Sequence, residues 1–209
     1  MARFDLDPVA SFDPSEIDDQ PSDAAVVVPI VARGDEHALL VTRRAEDLGE
    51  HPGQMSFPGG GAEVFDASPL ETALREAHEE IGLAPAEADV IGQLDDIRTI
   101  TGYAVTPFVA RIPDRTYEPD DREVAEIAVL PLQGFLDETN YEYETRTHPD
   151  AGEVLVHYFT IDGYTVWGAT ARMLVQLLEL ATPFRPPSLS TQVTPNAGEP
   201  TDGSDGRTE

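Results

Sequence analysis

Between residues 75 and 80 the chain reads Arg75-Glu76-Ala77-His78-Glu79-Glu80. Glu76, Glu79 and Glu80 stand at i, i+3 and i+4, so on a helix their side chains share one face. Three carboxylates repel one another there, and in the later half of a helix the dipole adds to the cost. A divalent cation resolves both problems. Mg²⁺ takes hard oxygen ligands and keeps waters that phosphate oxygens can replace. A solvated acidic face is the plainer reading of the same pattern, and in a chain this acidic it stands beside the metal-binding one. Just upstream lies Phe57-Pro58-Gly59-Gly60-Gly61. Glycine has no Cβ and tolerates positive φ, so backbone in such a segment can approach a ligand closely. Its carbonyls can complete a metal shell, and its N–H groups can meet phosphate. Alone the segment is a turn; ahead of three carboxylates on one helix face it is a stronger signal.

The carboxylates need a well-defined helix, and the sequence supplies one from Ser68 to Ile81. Ser68 can serve as N-cap, Pro69 takes the favoured first helical position and Glu71 can complete a capping box. Gly82 is placed to end the helix in a left-handed conformation. Upstream, Ala24 to Val31 is a β-branched run that breaks at Arg33-Gly34-Asp35 and resumes from His37 to Thr42, a hairpin pattern. Residues 43–62 read as loop with short extended pieces. Strands are expected at Asp89–Leu94, Tyr103–Ile112, Glu126–Pro131 and Val154–Ile161, with a short helix opening between Pro131 and Leu136. A second helix, Ala169 to Leu180, carries Leu174, Leu177, Leu178 and Ala181 on an apolar stripe. Mixed strands with two helices predict an α/β sandwich with a mixed sheet. Residues 1–22, rich in Asp, Pro and Ser, read as a mobile or loosely docked acidic arm. Residues 23–182 form the expected domain, and residues 183–209 a disordered acidic tail.

The chain has 209 residues and a formal net charge of -27, with 40 acidic residues against 13 basic ones. Every basic residue is Arg. This imbalance argues against unaided binding to nucleic acid or to an anionic membrane, both of which need local positive potential. The acid excess runs through the whole chain, so disorder alone does not account for it. Such charge destabilises the compact state by self-repulsion unless salt screens it. At about 1 M salt the Debye length is roughly 3 Å, and a cytoplasm at molar salt, as in a halophile, is the expected setting. A protein of ordinary salt with acidic tails is the alternative. With no Cys, disulfides and thiolate metal sites are excluded. The chain shows no signal-peptide run and nothing near the roughly 20 apolar residues of a membrane span, so a soluble cytoplasmic protein is expected.

The pattern Gly60-x5-Asp66-x8-Arg75-Glu76-Ala77-x-Glu79-Glu80-x-Gly82-Leu83 resembles the Nudix box, G-x5-E-x7-R-E-U-x-E-E-x-G-U. The chain departs from it in three ways: Asp66 stands for Glu, one extra residue precedes Arg75, and Ala77 fills a bulky apolar position. The resemblance implies a Nudix-type α/β/α sandwich and hydrolysis of a phosphoanhydride in a nucleotide-type substrate, with Mg²⁺ or Mn²⁺ as cofactor. It implies that Glu76, Glu79 and Glu80 bind metal, that the Gly59 carbonyl joins them, and that Arg75 orients a glutamate. Gly60 would meet the substrate.

Upstream, Leu39-Leu40-Val41-Thr42-Arg43-Arg44-Ala45 and His51-Pro52-Gly53-Gln54-Met55-Ser56-Phe57-Pro58-Gly59-Gly60 are similar to the signature of the coenzyme A pyrophosphatase subgroup, LLTxR[SA]x3Rx3Gx3FPGG. Val41 replaces a leucine there, and Gly49 stands where the signature has arginine. Thr106-Pro107-Phe108-Val109, Glu123-Val124-x-Glu126 and Trp167-Gly168-Ala169-Thr170-Ala171 extend the likeness. The subgroup implies coenzyme A or its esters as substrate, giving 3′,5′-ADP and 4′-phosphopantetheine. ADP-ribose or another nucleotide is the rival substrate, and a ligand-sensing Nudix module without turnover is the rival class. Arg44 can clamp a phosphate or form a salt bridge to a nearby acid, and Arg43 can do the same or face solvent. His51 can approach phosphate or bond within its loop. The general base can be Glu80, Glu76 or Glu126, and Glu123 and Glu126 can equally be surface acids. His37, His78, His148 and His157 lack ligand spacing and read as structural. Nothing specifies the number of subunits; a homodimer is compatible with the sequence.

Overall fold

The computed structural model describes residues 4–34, 36–45, 53–99, 101–148 and 152–187. Helix α1 (Asp7–Ala10) precedes β1 (Ser22–Arg33), β2 (Glu36–Arg44), β3 (Met55–Ser56) and β4 (Gly59–Gly61). Helix α2 (Pro69–Ile81) is followed by β5 (Asp89–Gln93), β6 (Ile97–Arg98), β7 (Tyr103–Ile112), β8 (Val124–Pro131) and α3 (Leu132–Phe135). Strands β9 (Tyr141–His148), β10 (Gly152–Ile161) and β11 (Tyr164–Trp167) lead into α4 (Gly168–Ala181).

The main sheet is mixed. β1 runs parallel to β7 along its length and antiparallel to β2, while β2 pairs antiparallel with β8 and β3, and β7 with β5 and β6. A smaller antiparallel sheet has the order β11-β10-β9. Strand alternation sends Ala25, Val27 and Val31 of β1 to one face, where they meet Ala73, Ala77 and Ile81 of α2. Val28 and Ile30 face the other way, onto Leu174, Leu177 and Leu178 of α4. The architecture is the α/β sandwich with a mixed sheet and flanking helices that the sequence predicts.

Pro29 decides where the site opens. β1 pairs β2 only from Ile30 to Arg33, and β4 only from Ala24 to Val26. Proline has no N–H for a ladder, and at this point β2 diverges and the segment before β4 enters the gap. There the Val27 N–H donates to the Pro58 carbonyl at 2.9 Å. The glycine segment is thereby built into the sheet as a strand.

Four local expectations need adjustment. Residues 6–10 are not loosely held: Leu6 and Val9 are buried, and a Cβ on Gly92 would collide with the Val9 carbonyl oxygen. Burial of these two apolar side chains outweighs the polar composition around them. Of the acidic tail, Phe184 packs on Tyr141 and Phe159; residues 188–209 lie outside the described residues. Ser68 caps α2 by accepting from the Glu71 N–H at 3.2 Å, but the Glu71 carboxylate reaches the Ala67 N–H at 2.7 Å, one residue before the reciprocal position of a capping box. Finally, β6, β9 and β11 are strands that the sequence reading does not contain.

Candidate active site

Small residues let α2 lie close to β1: Ala73 and Ala77 are fully buried between them. The adjoining flank of the same helix face then brings Glu76 and Glu80 against β4. The Gly59 N–H donates to Glu80 at 3.2 Å. A Cβ on Gly60 would stand 2.6 Å from the Glu76 carboxyl carbon, and one on Gly59 would collide with the Ala25 carbonyl oxygen. Both positions need glycine, for different reasons: Gly60 makes room for a carboxylate, Gly59 for the neighbouring strand.

Arg75 is the organiser of the acidic face. Its Nε and Nη2 grip both oxygens of Asp66, at 3.0 and 2.9 Å, a two-pronged pairing that fixes the guanidinium plane. Nη2 also donates to the Gly61 carbonyl at 3.1 Å, and Nη1 to Glu76 at 2.9 Å and Glu79 at 3.4 Å. Asp66 in turn accepts from Thr72 Oγ1 and the Glu63 N–H, both at 2.9 Å. The Arg75 guanidinium and these donors hold Asp66 well below the usual carboxylate range, against the smaller opposing effect of desolvation. The shorter Asp66 and the extra residue before Arg75 therefore still yield an anchored arginine. Sequence reasoning leaves Asp66 out of the site; its box position is the signal that could have included it.

Glu80 is 5 % exposed. Burial pushes its pKa up to about 8, with Glu76 and Glu123 adding to the rise and the Gly59 N–H and Arg44 opposing it. Burial also raises Glu76, against the pull of Arg75, and Glu79 and Glu123 add to the rise. Glu79 has a largely exposed side chain. These carboxylates converge on one side of α2, but among the described residues no three acidic or imidazole groups close into a finished metal shell. Arg75 occupies Glu76 and Glu79, and the Gly59 N–H occupies Glu80.

Two residues expected together are separated. Along β2, Leu40 lies on the α2 face, whereas Leu39 and Val41 lie on the α4 face. Arg44 follows the first set, and its charge is felt by Glu80. Arg43 follows the second, together with its cross-strand partner Glu126. The Glu126 carboxylate pairs with Arg43 Nη2 at 3.0 Å and accepts from the Tyr164 hydroxyl. Glu126 thus faces away from the helix carboxylates with which the sequence groups it, because strand alternation places it across the sheet. Glu123, three residues earlier and beyond a bulge at Ala125, is the downstream acid whose charge reaches both Glu76 and Glu80. Its carbonyl accepts from the Ala45 N–H. His51 and Gly49 lie outside the described residues. His157 pairs its Nδ1 with the Tyr141 hydroxyl at 2.8 Å, and His37 packs against Phe4.

A glutamate-bearing helix set against a glycine strand on one face of a mixed sheet is the arrangement of the Nudix hydrolases. The NUDIX domain family model matches residues 21–160. The chain is 39 % identical over 158 residues to an uncharacterized Nudix hydrolase NudL of Enterobacter sp. (strain 638), covering 74 % of this chain and 80 % of that one. It is 41 % identical over 155 residues to NudL of Cronobacter sakazakii (strain ATCC BAA-894), with the same coverage. Among solved structures, a MutT/nudix family protein from Enterococcus faecalis superposes with a TM-score of 0.51 at 14 % identity, over 80 % of this chain and 64 % of that one. This protein belongs to the Nudix hydrolase family. No helix among the described residues is long and apolar enough to cross a membrane.

Proposed function

We propose that this Nudix hydrolase cleaves the pyrophosphate bond of coenzyme A or its esters in a divalent-metal-dependent reaction, releasing 3′,5′-ADP and 4′-phosphopantetheine. The observation that carries the reading is Glu76 and Glu80 set against Gly60 and Gly59, with Glu79 tied to Glu76 through Arg75. The upstream signature around Arg44 and Phe57-Pro58-Gly59-Gly60 supplies the preference for coenzyme A over ADP-ribose. The donor set suits Mg²⁺ or Mn²⁺: hard oxygens in excess, a buried Glu80 with no cationic partner in contact among the described residues, and a neighbouring Arg75 already committed to Asp66. Glu76, Glu79 and Glu80 would hold the ion, with the Gly59 carbonyl beside them. A bound ion would acidify water and offset charge on the phosphoryl oxygens.

The protein's own part is positioning. Arg75 fixes Glu76 and Glu79, the Gly59 N–H fixes Glu80, and Arg44 supplies positive charge on the same face for the diphosphate. Glu80, Glu76 and Glu123 share that face and are the candidates to accept the proton of the attacking water; Glu126, across the sheet, is not among them. Molar salt is the proposed working condition, because it mutes the repulsion between a -27 chain and an anionic substrate.

The test is hydrolysis of coenzyme A in molar KCl, with and without Mg²⁺ or Mn²⁺, resolving the products by chromatography. Metal-dependent release of 3′,5′-ADP is expected. Cleavage of ADP-ribose but not coenzyme A would keep the site and discard the substrate. Silence on every diphosphate, from folded protein, would favour a ligand-sensing module.

A further inference from the structure

Arg43 and Arg44 are neighbours in sequence and serve opposite faces of the sheet. Arg44 lies with Glu80 on the α2 side. Arg43 lies on the α4 side at the end of β2, beside Met55 of β3 and Glu126 of β8. Its guanidinium is used sparingly. Nη2 pairs with Glu126 at 3.0 Å, the Nε–H is enclosed without an acceptor, and no protein acceptor for Nη1 occurs among the described residues. The side chain is 42 % exposed, so this cation is not sealed into the fold. An arginine whose backing carboxylate takes Nη2, whose Nε is enclosed and whose Nη1 is left for the open side is set for a second anion at that nitrogen.

The backing is itself braced. The Tyr164 hydroxyl, from the start of β11, donates to the second oxygen of Glu126. Tyr164 belongs to the small sheet and Glu126 to the main one, so this bond ties the two sheets together where Arg43 emerges. A carboxylate engaged on both oxygens restrains Arg43 before any ligand arrives, which reduces the ordering cost of binding.

We infer that Arg43 binds an anionic group of the substrate distinct from the scissile diphosphate, and that Glu126 and Tyr164 are positioning residues that aim it. The inference rests on the proposed reading of the α2 face as the diphosphate site. The ligand class is a nucleotide carrying a monophosphate in addition to its diphosphate. Two arginines projecting from consecutive residues to opposite faces suit two separate anionic groups better than one.

Coenzyme A and 3′-dephospho-coenzyme A differ by one such phosphate. In Arg43→Gln the KM for coenzyme A should rise about tenfold or more, as expected for a lost charge-assisted contact, with kcat little changed. The KM for the dephospho compound should stay where it is. Arg43→Lys should fall between, keeping charge without the fork. Tyr164→Phe should raise the coenzyme A KM by about threefold in the wild-type background and not at all in the Arg43→Gln background. Equal effects on both substrates, or none on either, would overturn the inference, as would an additive Tyr164→Phe effect.

A binding experiment separates this outcome from failure of the proposed substrate. Calorimetric titration in EDTA, with adenosine 3′,5′-bisphosphate and adenosine 5′-monophosphate as probes, needs neither metal nor turnover. Preference for the bisphosphate that disappears in Arg43→Gln supports the inference even if coenzyme A is not cleaved. No preference in the wild-type protein sinks it even if coenzyme A is cleaved.

Discussion

Gly59 and Gly60 are adjacent and look interchangeable, yet their replacement by alanine should fail differently. In Gly60→Ala the new methyl displaces the end of the Glu76 side chain, which can rotate away. The melting temperature should change little while turnover falls about tenfold or more through loss of Glu76 geometry. In Gly59→Ala the methyl meets the backbone of β1, which cannot yield, and a destabilisation on the order of 3 kcal/mol is expected in thermal or urea unfolding. Glu80 provides a pH test on the metal-free protein. Its folded pKa is raised to about 8 from an ordinary 4.5. The folded state therefore holds this proton more tightly than the unfolded chain does, and its contribution to stability is present in full below about 4.5 and lost as pH rises through about 8. Glu80→Gln should flatten that decline in unfolding experiments across pH 5 to 8. It should also abolish metal-dependent turnover, as should Glu79→Gln; undiminished activity in either would remove that residue from the site. Some of this was legible in residues alone, since three glutamates at i, i+3 and i+4 need only helical geometry to share a face. Which face Arg43 and Glu126 take was not. That depends on a strand register that residue types do not encode.

At the scale of elements, α2 is the part most open to reading, because its boundaries are written in local chemistry. Ser68 caps it, Pro69 opens it, and Gly82 closes it at φ 67°. Ser68→Ala should cost about 1 kcal/mol, and Gly82→Ala a similar amount through the left-handed backbone. Both should lower the melting temperature by a few degrees, leaving kcat almost unchanged. The Val26-Val27-Val28 run that marks β1 and the apolar stretch of β7 from Tyr103 to Ile112 were equally plain in residue types. Strands β9 and β11 were not. β9 alternates Tyr and Glu, and its acidic outer row reads as solvated chain until β10 is seen beside it. β11 is only four residues long, too short for periodicity to register. The docking of α1 was hidden for another reason: a four-residue helix has no pattern, and its part in the fold shows in the burial of Leu6 and Val9 and the close Val9–Gly92 approach.

For the whole molecule, charge is the dominant property. Its -27 spreads along the chain, while most of the arginines with described partners are tied to neighbouring acids, such as Arg33 to Asp114 and Arg115 to Glu87. Exposed pairs of this kind contribute little each, so they do not cancel the general repulsion. Thermal unfolding should therefore shift upward steeply between dilute buffer and about 1 M KCl, where the Debye length shrinks to roughly 3 Å. Full stability and activity in dilute, metal-free buffer would refute the high-salt assignment. The parting of β1 and β2 at Pro29 also governs how a cation would be received. The segment carrying Gly59 and Gly60 pairs with β1 as a third neighbour, and the Gly59 amide is held by the buried Glu80 carboxylate, so its amides are enclosed by sheet and helix. In hydrogen–deuterium exchange those amides should be protected like core strands, well above the level of a surface loop. A ligand arriving there meets a surface already ordered by folding, so the heat of binding should carry no signature of a loop freezing into place.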